Sequence, residues 1–291
     1  SPRLIRQRPS GRMEIEGAPS LGSKPEINWL TTLLPVLGTL VISLAMSAFT
    51  GGIGMMLSVP MMLMGVVVTV INYKNQTKRF QNAENTRREK YQAYIRSCEK
   101  QLEEAARTQR DALLYANPGP EQCRDMARRV DPRLWERTAG DADFLSLRVG
   151  LGAEPLGVEV QTPKVGFVLE EDAFTRMPQQ LADRYRLVDS VPVLCDLKNI
   201  PSLGVVGSRS LTVRMAQALA VQLATLHGYD EVRLAVIFPP AEWEQWAWMR
   251  WLPHTWNEDR TQRYLAGSRY EASQLFAGLE KVFQRRKAER G

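Results

Sequence analysis

The chain has 291 residues, of which 44% are hydrophobic and 24% charged, and its formal net charge is +6. That length supports one large domain or two small ones, and the composition excludes collagen-like, mucin-like and wholly disordered chains. Cys98, Cys123 and Cys195 are scattered, which excludes a disulfide-stapled secreted scaffold; with His227 and His254 as the two histidines and no CxxC pair, no metal site is expected.

Residues 1–26 read as a cytoplasmic linker rich in arginine. Between Glu26 and Lys74 the sequence carries no charge. At about 20 residues per bilayer crossing, this run is too long for one span and fits two. The adjacent glycines Gly51 and Gly52 mark the turn. The first transmembrane helix is expected near Trp29–Phe49 and the second near Ile53–Asn72, with Trp29 and Tyr73 at the membrane interfaces. Arginine and lysine crowd both flanks of the run and are missing from its turn, so the expected topology is a two-helix membrane hairpin in the cell membrane, multi-pass, with both termini cytoplasmic.

From Lys74 to Tyr115 neither proline nor glycine interrupts a stretch rich in Glu, Lys, Arg, Gln and Ala. A long basic stalk helix is expected over 74–117, ended by Asn117-Pro118-Gly119-Pro120. Tyr91, Ile95, Cys98, Leu102, Ala105, Gln109 and Ala112 recur at heptad spacing. This seam either leans on the chain's own domain or meets another subunit, with Tyr91, Ile95, Cys98 and Leu102 as its strongest positions.

Residues 118–291 read as a mixed α/β part. Helices are expected at Glu121–Arg129, Pro178–Leu187, Ser208–His227 and Glu271–Glu289. Strands are expected at Phe144–Leu151, Gly157–Val160, Lys164–Leu169, Val191–Asp196, Leu203–Gly207 and Glu231–Phe238. Strand, glycine turn, helix and strand over 203–238 form a βαβ unit, so a parallel sheet is expected. Trp243, Trp246, Trp248, Trp251 and Trp256 crowd one segment, as a packed cap over the sheet or as a groove for a helical partner.

Gly204, Gly207, Ser208, Arg209 and Ser210 form the candidate nucleotide loop, and it is degenerate. A working phosphate loop needs G-x-x-x-x-G-K-[ST], so that backbone N–H groups wrap phosphate, lysine reaches it and a hydroxyl holds magnesium. With Gly204 first, Arg209 falls at the second glycine, Ser210 at the lysine and Leu211 at the hydroxyl. Pro239 and Pro240 follow the next strand, where an acid should hold the metal. No catalytic residue is assigned, and GxSxG, HExxH and GxGxxG are all missing.

Several segments in sequence order then carry a resemblance: Pro25–Trp29 before the uncharged run, Arg87–Tyr91, Leu134–Arg137, Asp143–Gly152, Gly204–Gly207, Gln222–His227 and Trp251–Trp256. The chain resembles the membrane-proximal part of the EssC/EccC-type ATPases of type VII secretion systems, within the FtsK/SpoIIIE-like group. The resemblance implies an α/β fold with transmembrane helices: a membrane hairpin, a stalk, then a degenerate P-loop-like parallel domain, the first and inactive one of a motor. It implies ATP and magnesium in downstream domains rather than here. It also implies self-association into a homo-oligomer, with a hexamer as the candidate active state, and contact with other type VII membrane components, the lipid bilayer and exported small helical WXG-type proteins. Two rivals stand beside it. One is a membrane-anchored DNA translocase, to be separated by salt-dependent duplex binding. The other is a membrane-tethered scaffold without a motor.

Overall fold

The computed structural model describes residues 3–20, scattered positions between 34 and 48, 53–164, 174–200 and 202–290, with the side chains of 53–63 and 290 outside the description. The described elements are β1 (Gly11–Glu14), α1 (Ile53–Ala116), α2 (Pro120–Arg129), β2 (Ser146–Pro155), β3 (Val158–Gln161), α3 (Met177–Arg184), β4 (Leu187–Asp196), α4 (Arg209–Leu226), β5 (Val236–Ile237), α5 (Trp243–Trp246), β6 (Leu265–Ala266) and α6 (Arg269–Arg290). The strands form three two-stranded sheets, β1 with β3, β2 with β4, and β5 with β6. The chain divides into two compact units, one of residues 1–11, 104–159 and 185–291, the other of 12–103 and 160–184.

In the first unit, local chemistry sets the helix ends. Proline opens α2, and the Gly119 N–H donates to Gln122 Oε1 at 2.5 Å, closing its first turn. α2 stops at Val130, which adopts the left-handed conformation. β2 and β4 pair antiparallel from Ser146 opposite Asp196 to Pro155 opposite Leu187, with bulges at Arg148/Gly150 and Gly152/Ala153. A Cβ on Gly152 would sit 2.7 Å from Val193 Cγ2, so this bulge requires glycine. α4 packs on both α2 and β2. Its buried Gln222 behaves as one more rung of β2: Oε1 accepts from the Arg148 N–H and Nε2 donates to the Arg148 carbonyl, each at 2.9 Å. The core gathers Val213 and Ala220 of α4 with Phe238, Trp246 and Met249. Trp246 is buried in this cap and Trp248 packs against it, whereas Trp251 is exposed.

In the second unit, Ile15 is buried and its N–H donates to the Gln161 carbonyl at 2.9 Å. Tyr91 Oη donates to the Glu16 carbonyl and Tyr94 Oη accepts from the Glu16 N–H, both at 3.0 Å. The Tyr91 ring meets Phe174 edge-on at 5.7 Å. α3 buries Leu181, and Arg184 at its end donates to Glu99 at 2.6 Å. Cys98 of this unit, and Cys123 and Cys195 of the first, are free and buried.

Two expectations need correction. No helix among the described residues is long and apolar enough to cross a membrane. This overturns the transmembrane hairpin and, with it, the multi-pass membrane localisation. The expected second span is instead the start of the 64-residue α1, which does not end near Asn72 but continues into charged sequence from Lys74. Tyr73 is half-buried on that helix. Trp29, Gly51 and Gly52 lie outside the described residues, as do most of Trp29–Phe49 and most of Lys164–Leu169.

The second correction concerns the parallel P-loop-like domain. Leu203–Gly207 is not a strand; it is exposed coil, with Val206 fully exposed. The larger pairing, β2 with β4, is antiparallel. β5 and β6 pair parallel, Val236 opposite Leu265 and Ile237 opposite Ala266, and Arg137 forms an isolated parallel bridge with His227. An apolar run becomes a buried strand only beside a partner, and none of the described strands pairs with Leu203–Gly207.

Candidate functional site

The candidate nucleotide loop leads into α4 on the first unit's surface. Gly204, Gly207, Ser208, Arg209 and Ser210 are all exposed. Ser208 is the N-cap of α4 through its backbone: its carbonyl accepts from the Leu211 and Thr212 N–H groups at 3.0 Å, and its side chain makes no cap bond. Arg209 does not face an open anion site. Its Nε and Nη2 donate to the two carboxylate oxygens of Glu242 at 2.6 and 2.7 Å, a fork-on-fork pair. Trp246 Nε1 also donates to Glu242, at 3.3 Å. The Arg209 bond holds the Glu242 carboxyl below its ordinary range, and the same bond raises the guanidinium. Glu242 closes the short 3₁₀ turn Pro240–Glu242 after β5. An acid therefore does stand near the loop, but it is spent on arginine.

Glu242 is a residue that the motif search passes over. It sits five positions beyond the end of β5, and nothing in its spacing announces Arg209 as its partner.

The expected seam residues lie within the second unit. Tyr91, Cys98 and Leu102 are buried in this chain and Ile95 is half-buried. Tyr91 is covered by Phe174 and by the backbone of Glu16. That face of α1 is therefore occupied by its own chain.

A second constellation, missed by sequence reasoning, lies around Arg137. The side chain is completely buried. Nη2 donates to the Ala116 carbonyl at 2.7 Å and to Asn117 Oδ1 at 3.0 Å, Nη1 donates to the Ser146 carbonyl, and Nε lies 3.0 Å from Asp143 Oδ2. Arg3 grips the same Asp143 at 2.8 and 2.5 Å. Its hydrogen bonds, with the nearby Arg137 charge, hold the Asp143 carboxyl below the usual carboxylate range. Arg133 pairs with Glu136 at 2.7 Å. Tyr115 is sandwiched between the guanidinium groups of Arg6 and Arg133, each 4.0 Å from the ring centre.

The segment beside Arg137 also finishes α4. The last four carbonyls of a helix have no intrahelical donor. Here Leu223 accepts from the His227 N–H, Ala224 from Trp135 Nε1, Thr225 from the Trp135 N–H and Leu226 from the Arg137 N–H, at 2.8–3.1 Å. Trp135 holds a left-handed backbone, φ +59°, to make both of its bonds. His227 is buried, and burial pushes its imidazole down to about 4. Nε2 accepts from the Leu145 N–H at 3.0 Å, so the ring proton sits on Nδ1, 3.2 Å from the Leu223 carbonyl. These contacts tie the chain's own segments together, with the buried Arg137 Nε paired by charge to Asp143 and making no hydrogen bond. Among the described residues, no group of three or more His, Cys, Asp or Glu is placed to hold a metal.

No family model matches the chain. The chain is 30% identical over 288 residues, 98% of its length, to the ESX secretion system protein EccC of Geobacillus thermodenitrificans. It is 33% identical over 172 residues, 59% of its length, to the protein of the same name from Thermomonospora curvata. To the type VII secretion system protein EssC of Staphylococcus aureus it is 25% identical over 258 residues, 87% of its length. These matches cover 19%, 13% and 17% of the relatives, so the chain spans less than a fifth of the length of the curated relatives it matches.

Proposed function

From a chain that is a homologue of the EccC and EssC secretion proteins, we propose a role within a type VII secretion system as a non-hydrolytic mixed helix–sheet segment. Homology along nearly the whole chain supports the system. The observation that supports the non-hydrolytic role is the Arg209–Glu242 pair. Phosphoryl transfer needs charge neutralised on the γ-phosphate and a metal bridging the phosphates. Ser210 and Leu211 supply neither, and the one cation of the turn is committed to a carboxylate 2.6 Å away. ATP and magnesium then act in other domains of the longer protein. Self-association, contacts with other components of the system and handling of exported small helical proteins belong to that whole protein.

The test is isothermal titration and turnover of the purified chain with magnesium-ATP. The expected result is neither measurable heat nor phosphate release. Turnover that disappears in Arg209→Ala would overturn the proposal and make this segment a working ATPase.

A further inference from the structure

Residues 3–9 form an arm ahead of β1 and belong to the first unit. Its arginine side chains hold it there. Arg3 forks onto the two carboxylate oxygens of Asp143 at 2.8 and 2.5 Å, with Glu136 3.8 Å from its Nε. Arg6 covers one face of the Tyr115 ring at 4.0 Å, and Arg133 covers the other. Arg8 lies 3.5 Å from Glu154. Among the described residues, the backbone of 3–9 makes no hydrogen bond. Leu4 and Ile5, the large apolar side chains of the arm, are 66% and 74% exposed, so hydrophobic burial does not fix it.

The row beneath the arm is built without it. Arg137 is close to Asp143, Arg133 pairs with Glu136, and Arg133 already stacks on Tyr115, so both carboxylates and one ring face are oriented from below. The path of the arm's backbone is shaped as well. A Cβ on Gly157, in the turn from β2 to β3, would collide with the Pro9 carbonyl. Gly157 does not hold a left-handed conformation, so close approach rather than backbone strain asks for glycine here. Gln109 braces that turn: its Oε1 accepts from the Gly157 N–H at 2.7 Å and its Nε2 donates to the Pro155 carbonyl at 2.9 Å.

This row selects a chemistry. It offers a carboxylate for a guanidinium fork, a ring face for a flat cation, then a second carboxylate. Lysine supplies charge but neither the fork nor the flat stack. The row therefore fits an extended peptide with arginines at one position and three and five residues on. Partly exposed ionic contacts are weak and screened by salt, and the arm loses neither ladder bonds nor apolar burial on leaving. We propose that the row from Asp143 through Tyr115 to Glu154 is a receptor for an extended arginine-bearing peptide. Residues 3–9 are its resident occupant in cis, exchangeable for an arginine-bearing segment of a partner.

The nucleotide loop plays no part in this, and the test uses the whole chain. The native cysteines are free and buried, so a dye on Leu4→Cys reports on the arm. Its anisotropy is expected to fall toward that of a free peptide between about 0.05 and 1 M NaCl, with tryptophan fluorescence unchanged. Anisotropy that ignores salt overturns the exchangeable arm. The row is then emptied by Arg3→Ala, Arg6→Ala and Arg8→Ala together, and a labelled peptide with the sequence of residues 1–10 is added in trans. It is expected to bind the emptied chain at least about tenfold tighter than the unaltered chain, whose row is filled in cis. It is expected to bind about tenfold tighter than its lysine-for-arginine twin. Equal binding to the two chains, or no saturable binding to the emptied one, overturns the receptor. A lysine twin that binds equally well reduces the row to an acidic surface and overturns the arginine requirement. Gly157→Ala in the emptied chain is expected to weaken the peptide about tenfold, and unchanged binding overturns the path over the turn. Unfolding of the emptied chain would make the arm integral to the fold and would overturn exchange as well.

Discussion

Two arginines of the first unit, Arg137 and Arg209, both end in carboxylates, and they stand for opposite uses of charge. Arg137 is sealed from water and reaches three backbone or amide oxygens besides Asp143. Arg209 is a surface staple, two-thirds exposed, with Glu242 as its partner. A buried ion is costly to desolvate, so it persists only where its surroundings are complete, and removing it strands everything that had turned toward it. A surface pair in high dielectric holds little free energy. The contrast teaches that the conspicuous glycine-and-arginine turn is peripheral to the fold, while an inconspicuous arginine inside Leu-Trp-Glu-Arg organises it.

The sharpest way to break this contrast is Arg137→Ala. It leaves Asp143 with Arg3 alone and orphans the Ala116 and Ser146 carbonyls. A loss of about 3–5 kcal/mol is expected, a large share of the stability of an ordinary domain. Chemical denaturation followed by tryptophan fluorescence measures it, and a loss as small as that of a surface pair would dissolve the distinction.

Acid titration sharpens it on the buried side. His227 titrates near 4 when folded and near its ordinary 6.5 when unfolded. Between these values the unfolded chain takes up a proton that the folded chain refuses, so stability is complete above about pH 6.5 and declines as pH falls toward 4. His254, also lowered by burial, adds in the same direction. The contribution of His227 is on the order of 3 kcal/mol over that window. A denaturation midpoint that stays flat from pH 7.5 to 4.5, or is no higher above pH 6.5 than below it, would contradict the buried neutral imidazole. His227→Gln is the control that should make the curve shallower, leaving the share of His254.

The smallest effect belongs to Arg209→Ala, for which no measurable change in thermal midpoint is expected, within about 1 °C. A substantial drop would place this turn among the parts that hold the unit together.

Much of the architecture was legible in the sequence because it depends on neighbours along the chain. The ends of α2 follow from Pro118-Gly119-Pro120 and those of α4 from Gly207-Ser208 and His227-Gly228, close to expectation. β2 and β4 follow from their apolar residues. What the sequence hid depends on distant neighbours. Leu203–Gly207 has the composition of a buried strand and lacks a partner. β6 is two residues long and carries no periodicity, yet it supplies the parallel pairing. Of the candidate loop, the missing lysine and hydroxyl were legible from spacing, whereas Glu242 closing on Arg209 across 33 positions was not. Arg137 was legible only as part of the Leu134–Arg137 segment, not as a buried centre, because arginine is usually a surface residue, and nothing local shows that Asp143, Asn117 and two carbonyls converge on it. The uncharged run before Lys74 misled because the number of apolar residues in a row says nothing of where the helix holding them ends.

The three free cysteines turn the molecule into its own clock. The thiolate, not the thiol, reacts with alkylating reagents, and Cys123 is fully buried with its thiol pushed up to about 11 by desolvation. Cys98 and Cys195 are buried as well. Alkylation at each must therefore await an opening of the surrounding structure, and its rate counts those openings. Cys98 reports on one compact unit, Cys123 and Cys195 on the other. A single mass spectrum taken through a time course of labelling thus ranks how often each unit breathes, with no residue altered.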